Sequence, residues 1–367
     1  MKVFVIGFPG DIGGACTELW HTIKLWRKFD VDVHLIPTWA TNVSWRQKVD
    51  SLGCVTHDVK PEDFESIEGL AGAVVISFCN SEFLLHAQKL RDLGCRLIWV
   101  NCMTFLFEQE KQWYGRGEMF DAFVFQSEFQ RTELEPQLES FGYQPETGHL
   151  IRGAFDLDEF EFAPRHHESG DVFVAGRMAR PDLDKWSSNT WPIYSAIQYA
   201  NKRAIMLGIN DRVQEKLGAS PIFADCLKPG AIPVQQFLAN LHCLLPVNGG
   251  ARENWPRAGL EAMASGVPVV AQNDWGWREM IDHGETGFLA NNDCELAHYT
   301  ATLAYDEKLR QRIIESAYLR LADDLANSNL IWGKWKLLFE SLQADHNVPG
   351  ITHARTFHET RTFEEVA

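Results

Sequence analysis

Arg252-Glu253-Asn254-Trp255-Pro256-Arg257-Ala258-Gly259-Leu260-Glu261-Ala262-Met263-Ala264-Ser265-Gly266-Val267-Pro268-Val269-Val270-Ala271 reads as a loop, a helix, a tight turn and a strand. Asn254 is a candidate helix cap. Pro256 suits a first turn, where a missing N–H removes no intrahelical bond. Gly266 can take the left-handed conformation that ends a helix, and Pro268 to Ala271 then enters a sheet. A helix N-terminus that follows a strand in a parallel sheet carries free N–H groups and positive potential, a natural seat for a diphosphate. Glu253 stands before this helix and Glu261 within it. A carboxylate accepts two hydroxyl hydrogen bonds and so suits ribose or sugar diols. The segment therefore proposes a site for a ligand with both phosphate and polyol character.

The same pattern of short apolar runs separated by amphipathic stretches extends outward in both directions. Val3–Ile6, Val33–Ile36, Val74–Phe78, Leu97–Val100 and Phe123–Phe125 form one series. Val172–Ala175, Ala204–Leu207, Cys243–Val247 and Val267–Ala271 form a second. Continuous runs rich in Val and Ile suit strands covered on both faces, and the intervening stretches are long enough for crossover helices. In Thr17–Arg27, for instance, Leu19, Ile23 and Trp26 share a helical face. The β-α alternation predicts an α/β protein with two Rossmann-like, doubly wound domains. The polar, aperiodic stretch Asp156–Asp171 reads as the linker. Asn329–Leu342, with Leu330, Trp332, Trp335, Leu338 and Phe339, reads as a closing helix with an aromatic face. The expected division is 1–160, 171–328, a closing helix over 329–348 and a loosely attached tail over 349–367.

Seven residues separate Glu253 from Glu261, and Gly259 to Ala271 follows in register. This resembles the E-x7-E signature of the retaining glycosyltransferases of family 4, which have the GT-B fold of two Rossmann-like domains facing a central cleft. The similarity continues through Gly276, Arg278-Glu279-Met280-Ile281 and Gly284-Glu285-Thr286-Gly287-Phe288-Leu289, and reappears at Val174-Ala175-Gly176-Arg177. Fainter echoes are Gly13-Gly14, Ser127 and Ile151 to Asp156. The resemblance implies a hexosyltransferase that moves a sugar from a nucleoside-diphosphate sugar, such as a UDP- or GDP-sugar, to an acceptor hydroxyl with retention of configuration. It implies Glu253 as the catalytic carboxylate, facing the 3-hydroxyl side of the donor sugar, and Glu261 holding the ribose. Arg177 and Lys185 would neutralise the diphosphate, with Gly13, Gly14, Trp255 and Ala258 completing the donor-binding set. No metal and no resident cofactor is expected. The acceptor class stays open between a glycan, a lipid-linked sugar, a protein and a metabolite.

The chain departs from the family pattern at several positions. Asn254-Trp255-Pro256 replaces the usual Gly-Phe-Gly, and Trp275-Gly276 replaces a Gly-Gly pair. Lys185 follows Arg177 at a greater distance than usual, which makes Arg180 its substitute candidate. Asn101-Cys102-Met103-Thr104 stands where the family often has a histidine, leaving Asn101 and Thr104 as candidate donor-sugar contacts. Two rival readings use the same fold: a nucleotide-sugar epimerase or hydrolase, and a non-catalytic nucleotide-sugar-binding protein. Pro9 occupies the second glycine position of G-x-G-x-x-G, which counts against a nicotinamide dehydrogenase. Asp156-Leu157-Asp158 and Asp182-Leu183-Asp184 read as loop carboxylates, and His166-His167 as a linker pair without further metal ligands.

A length of 367 residues suits two domains, and a formal net charge of -16 disfavours nucleic acid and anionic membranes as partners. The eight cysteines are scattered with no C-x-x-C, which fits buried free thiols in a reducing compartment. Met1 to Gly7 is too short and strand-like for a signal peptide, and no run is long enough to span a bilayer. A cytoplasmic, soluble protein with at most peripheral membrane contact is the expectation.

Overall fold

The computed structural model describes residues 1–10 and 13–344. The first sheet contains β1 (Lys2–Ile6), β2 (Asp32–Ile36), β3 (Val55–Thr56), β4 (Val74–Phe78), β5 (Arg96–Val100), β6 (Ala122–Phe125) and β7 (Gly148–Leu150). All pairs are parallel, in the order β3-β2-β1-β4-β5-β6-β7. The second half contains β8 (Phe173–Met178), β9 (Lys202–Leu207), β10 (Ala224–Leu227), β11 (Cys243–Leu244), β12 (Val270–Gln272) and β13 (Phe288–Ala290). Here β10-β9-β8-β11 and β12-β13 are again parallel, and a Leu244–Val269 bridge joins the two pieces. Both halves thus run 3-2-1-4-5-6 from their own first strand, the first adding a seventh strand at its edge, with a topological switch point between the first and fourth strands.

The apolar runs lie where a doubly covered sheet needs them. Alternate residues of β1 enter opposite faces: Val3 and Val5 pack with Ile23 and Trp26, whereas Phe4 and Ile6 pack with Phe64 and Trp99. The four strands absent from the sequence reading are short or half polar: Val55–Thr56, Gly148–Leu150, Ala224–Leu227 and Phe288–Ala290. Gly266, at φ +76°, ends the helix Arg257–Ala264 in the left-handed conformation its position demands.

The stretch 156–171, which leads from the first sheet to the second, is packed: Lys24 pairs with Asp156, and His167 is buried against Tyr199. Two local expectations are corrected. Pro256, not Asn254, stands at the N-cap of Arg257–Ala264, because the loop turns Asn254 towards the first half of the molecule. In the closing helix Ser328–Ala344, Leu330 points outward at 53% exposure.

The apolar face of that helix (Ile331, Trp335, Leu338, Phe339 and Leu342) belongs to the core of the first half, although the chain reaches it from the second. Trp335 meets Trp26 edge-on at 5.1 Å, and Trp332 stacks on Phe29 at 5.1 Å. Such aromatic pairs add about 0.5–1.5 kcal/mol beyond the area they bury. The segments 345–348 and 349–367, expected as helix end and tail, lie outside the described residues. Among the described residues no helix is long and apolar enough to cross a membrane.

Candidate active site

The carboxyl ends of β8 and β11 flank the switch point of the second sheet, where an open α/β sheet leaves a crevice. A cavity of about 140 Å³ occupies it. Arg177, Lys185, Glu253, Pro256, Arg257 and Ala258 line it, with Asn248 from the loop after β11 and Trp277 from the helix Trp277–Met280.

Arg177 is the penultimate residue of β8 and is 2% exposed. One guanidinium nitrogen donates to the Lys185 carbonyl, and the group lies over the Trp186 ring at 4.9 Å. Its Nε and Nη1 are buried with no hydrogen-bond partner. Burial lowers its pKa to about 10. A cation so placed, with two donors unspent, costs free energy that an incoming anion recovers. Lys185 ends a short turn, Leu183–Lys185, and its Nζ lies 2.8 Å from Glu253 Oε1. Arg180 lines the same cavity but pairs with Asp182 at 3.1 Å.

Arg257 escaped the sequence reading. It is the first residue of the seat helix, where the macrodipole disfavours a cation. That conflict was the one available signal. Its Nη1 donates to the Ala154 carbonyl at 3.0 Å and its guanidinium lies over Phe155 at 5.3 Å. Three carboxylates answer its charge: Glu18 from the helix Gly14–Lys28, Glu261 one turn along its own helix, and Glu159 from the turn Leu157–Glu159. Glu18 is 5% exposed, and nothing in its sequence neighbourhood marks it. Burial raises the Glu18 and Glu261 carboxyls to about 7, with Arg257 opposing the shift.

The sign of this shift sets a pH dependence. Between the ordinary carboxyl value and about 7 the folded protein holds protons that the unfolded chain has released, so stability falls as pH rises through that window and stays lower above it. For Glu18 the loss is on the order of 3–4 kcal/mol, at about 1.4 kcal/mol per unit. Glu18→Gln is expected to melt above the wild type at pH 8 and to match it at pH 4.5. Equal melting at both pH values, followed by circular dichroism, would remove Glu18 from the account.

The other sequence candidates fall elsewhere. Trp255 is 5% exposed and packs into the core beneath the helix with Leu260 and Trp277, beside Arg152 at 5.4 Å. Trp255, placed in the donor-binding set, does not line the cavity. Gly13, at φ +100°, is the N-cap residue of Gly14–Lys28, at the carboxyl edge of the first sheet, and a Cβ at Gly13 or Gly14 would meet nothing within 4 Å. Asn101 and Thr104 follow β5 and are buried; Asn101 Nδ2 donates to the Val124 carbonyl at 3.1 Å. Neither lines the cavity. The two Asp-Leu-Asp tripeptides each open a single 3₁₀ turn. Among the described residues no group of three or more His, Cys, Asp or Glu could hold a metal ion. A larger cavity of about 460 Å³ lies between Gly14–Lys28 and the stretch after β7, where its Lys and Arg side chains already have partners: Lys24 on Asp156 and Glu159, Arg27 on backbone carbonyls and Lys28 on the Ser328 hydroxyl.

Two doubly wound sheets with their carboxyl edges flanking one cleft, closed by a C-terminal helix, define the GT-B fold, and the chain has it. Residues 232–320, which include the seat helix, match the family described as Glycosyl transferases group 1. Among solved structures, Alr3699/HepE of Anabaena, determined in complex with UDP-glucose, is similar at 17% identity and a TM-score of 0.69, over 94% of this chain and 100% of that one. A TarM G117R mutant from S. aureus, in complex with UDP among other ligands, gives 12% identity and 0.71, over 92% and 99%. Sucrose-phosphate synthase from Thermosynechococcus elongatus gives 14% and 0.67, over 94% and 99%.

Proposed function

We propose that the chain is a glycosyltransferase that moves a sugar from a nucleoside-diphosphate sugar to an acceptor hydroxyl with retention of configuration and without a metal. The observation that carries this reading is Arg177, a buried guanidinium with two unspent donors at the switch-point cavity, beside Lys185 and the N-terminus of Arg257–Ala264. Together they supply the positive potential that a leaving diphosphate needs. The matched family segment and the nucleotide-bound relatives support the same class.

In this reading the diphosphate displaces Glu253 from Lys185 and accepts from Arg177. Glu253, released, faces the donor sugar, and Glu261 accepts the ribose hydroxyls while Arg257 balances its charge. The bond from the anomeric carbon to phosphate breaks with its electron pair passing to the diphosphate. The acceptor oxygen bonds to the same face of that carbon, and its proton passes to the departing phosphate oxygen. The acceptor enters from the first half, through the cleft. The rest of the donor-binding set, Gly13 and Gly14, lets the first half approach the donor closely.

The first test is thermal stabilisation by UDP, GDP, ADP and their sugar conjugates, with Glu261→Ala as the control. A shift with one base that disappears in the variant supports the site; no shift at millimolar nucleotide argues against it. The anomeric configuration of the product, read by proton NMR in the presence of a chelator, decides retention and metal independence together. Because only the ionised carboxylate accepts two hydroxyls, affinity for a sugar conjugate, whose phosphates do not titrate here, is expected to rise with pH. With Glu261 at about 7, the ionised fraction grows about tenfold from pH 6 to pH 8. Glu261→Gln, in a Glu18→Gln background, should bind weakly and without that slope.

A further inference from the structure

The loop that carries Glu253 is tied to the first half by two side-chain links: a half-exposed one, in which Arg252 pairs with Glu133 at 2.7 Å, and a buried one that begins at Asn254, the first position of the unusual Asn254-Trp255-Pro256 turn. Its Oδ1 accepts from Ser127 Oγ at 2.6 Å, and its Nδ2 donates to Gln126 Oε1 at 2.8 Å. Ser127 spends its other capacity as the cap of Glu128–Glu139, accepting from the Gln130 backbone at 3.0 Å. Gln130 Oε1 accepts from the Gln126 backbone, while its Nε2 donates to the carbonyls of Asn101 at 3.0 Å and Met103 at 2.7 Å. All four polar side chains (Asn254, Gln126, Ser127 and Gln130) are buried, Gln130 completely. One continuous buried network therefore runs from the residue beside Glu253 to the loop after β5 in the opposite half.

We infer that Asn254 is a positioning residue: its carboxamide fixes the loop after β5, and with it the acceptor side of the cleft, relative to the donor seat. The inference rests on the glycosyl-transfer reading. The nucleotide seat itself (Arg177, Lys185, Glu261 and the helix N-terminus) lies wholly in the second half and needs no part of this network. Removing the tie therefore leaves nucleotide binding in place while loosening the alignment of acceptor with donor sugar. A misplacement of about 1 Å in a reacting pair lowers rate by about 10²-fold. Water needs no such alignment, so hydrolysis of the donor gains relative to transfer.

The test uses the full chain and the nucleotide sugar identified by thermal shift. For Asn254→Ala the nucleotide Kd and the donor KM stay within about threefold of wild type, kcat for transfer falls about 10–100-fold, and the ratio of donor hydrolysis to transfer rises. Ser127→Ala reproduces the pattern and Ser127→Thr, which keeps the hydroxyl, restores it; this pair decides the matter if Asn254→Ala does not fold. Wild-type kcat and hydrolysis ratio in both Asn254→Ala and Ser127→Ala would overturn the inference. So would a loss of nucleotide affinity that tracks a loss of thermal stability, because that marks a purely structural role. A wild-type chain that binds no nucleotide sinks the glycosyl-transfer reading and this role with it. A wild-type chain that transfers sugar while the variants match it sinks this role alone.

Discussion

Arg177→Met is expected to lower kcat for sugar transfer by about 10²–10³-fold, the usual effect of removing one preorganised donor from a site of developing charge. The same substitution is expected to leave the melting temperature unchanged or to raise it. The reason is the state of the side chain without ligand: 2% exposed, one nitrogen on the Lys185 carbonyl, two with no partner, and a pKa drawn down by burial. Methionine fills similar space in a setting of Trp186 and the β8 backbone with no charge to desolvate. Loss of function with gain of stability is the signature of a group held for a ligand rather than for the fold. Steady-state kinetics beside a melting curve would show it. A variant within tenfold of wild type would move the diphosphate away from this strand end.

The second large effect is expected at Gly276. An added Cβ would stand 1.7 Å from the Asn254 carbonyl oxygen and 3.1 Å from that of Glu253, and the Gly276 N–H already bonds to the Glu253 carbonyl at 2.9 Å. The obstruction is backbone on backbone, so no rotamer relieves it. Trp275 beside it already holds a left-handed φ of 52°, which costs a non-glycine residue about 1–3 kcal/mol and leaves little freedom to adjust. Gly276→Ala must displace the Glu253–Asn254 loop, at a cost near or above the top of the ordinary overpacking range of about 1–3 kcal/mol. The expected readings are a melting temperature lower by roughly 6–12 °C, at about 2–4 °C per kcal/mol, and loss of the nucleotide-dependent shift. A variant that melts within about 2 °C of wild type would show slack in this loop.

The fold was legible because strands covered on both faces must be apolar throughout, and Val74–Phe78 or Arg96–Val100 can hardly be read otherwise. Ala224–Leu227 and Gly148–Leu150 were not legible, since an edge strand of three or four half-polar residues carries no period. Within the site, Arg177 could be singled out at a strand end and Glu253 at a helix start, whereas Lys185, at the end of a short turn, was marked by the family resemblance alone. The pairing of Lys185 with Glu253 spans 68 positions and is a property of the folded sheet alone. Glu18 and Arg257 come from opposite halves of the molecule and act on each other only once the two halves meet, and no spacing in the chain encodes that. Asn254 misled for a physical reason: the side chain that makes asparagine a good cap equally makes it a good bridge, and only the direction of the loop decides between them.

The return of the last helix to the first half bears on how the molecule comes into being. A ribosome finishes the first sheet early, yet Trp26, Phe78 and their neighbours stay uncovered until Trp335, Phe339 and Leu342 emerge. At about 5–20 residues per second, the intervening stretch of roughly 180 residues takes on the order of 10–40 s to translate. Throughout that interval the nascent chain presents an aromatic groove shaped for a helix not yet made, a natural resting place for a chaperone. The half that begins synthesis is thus the last to be complete, and the order of assembly runs opposite to the order of the sequence.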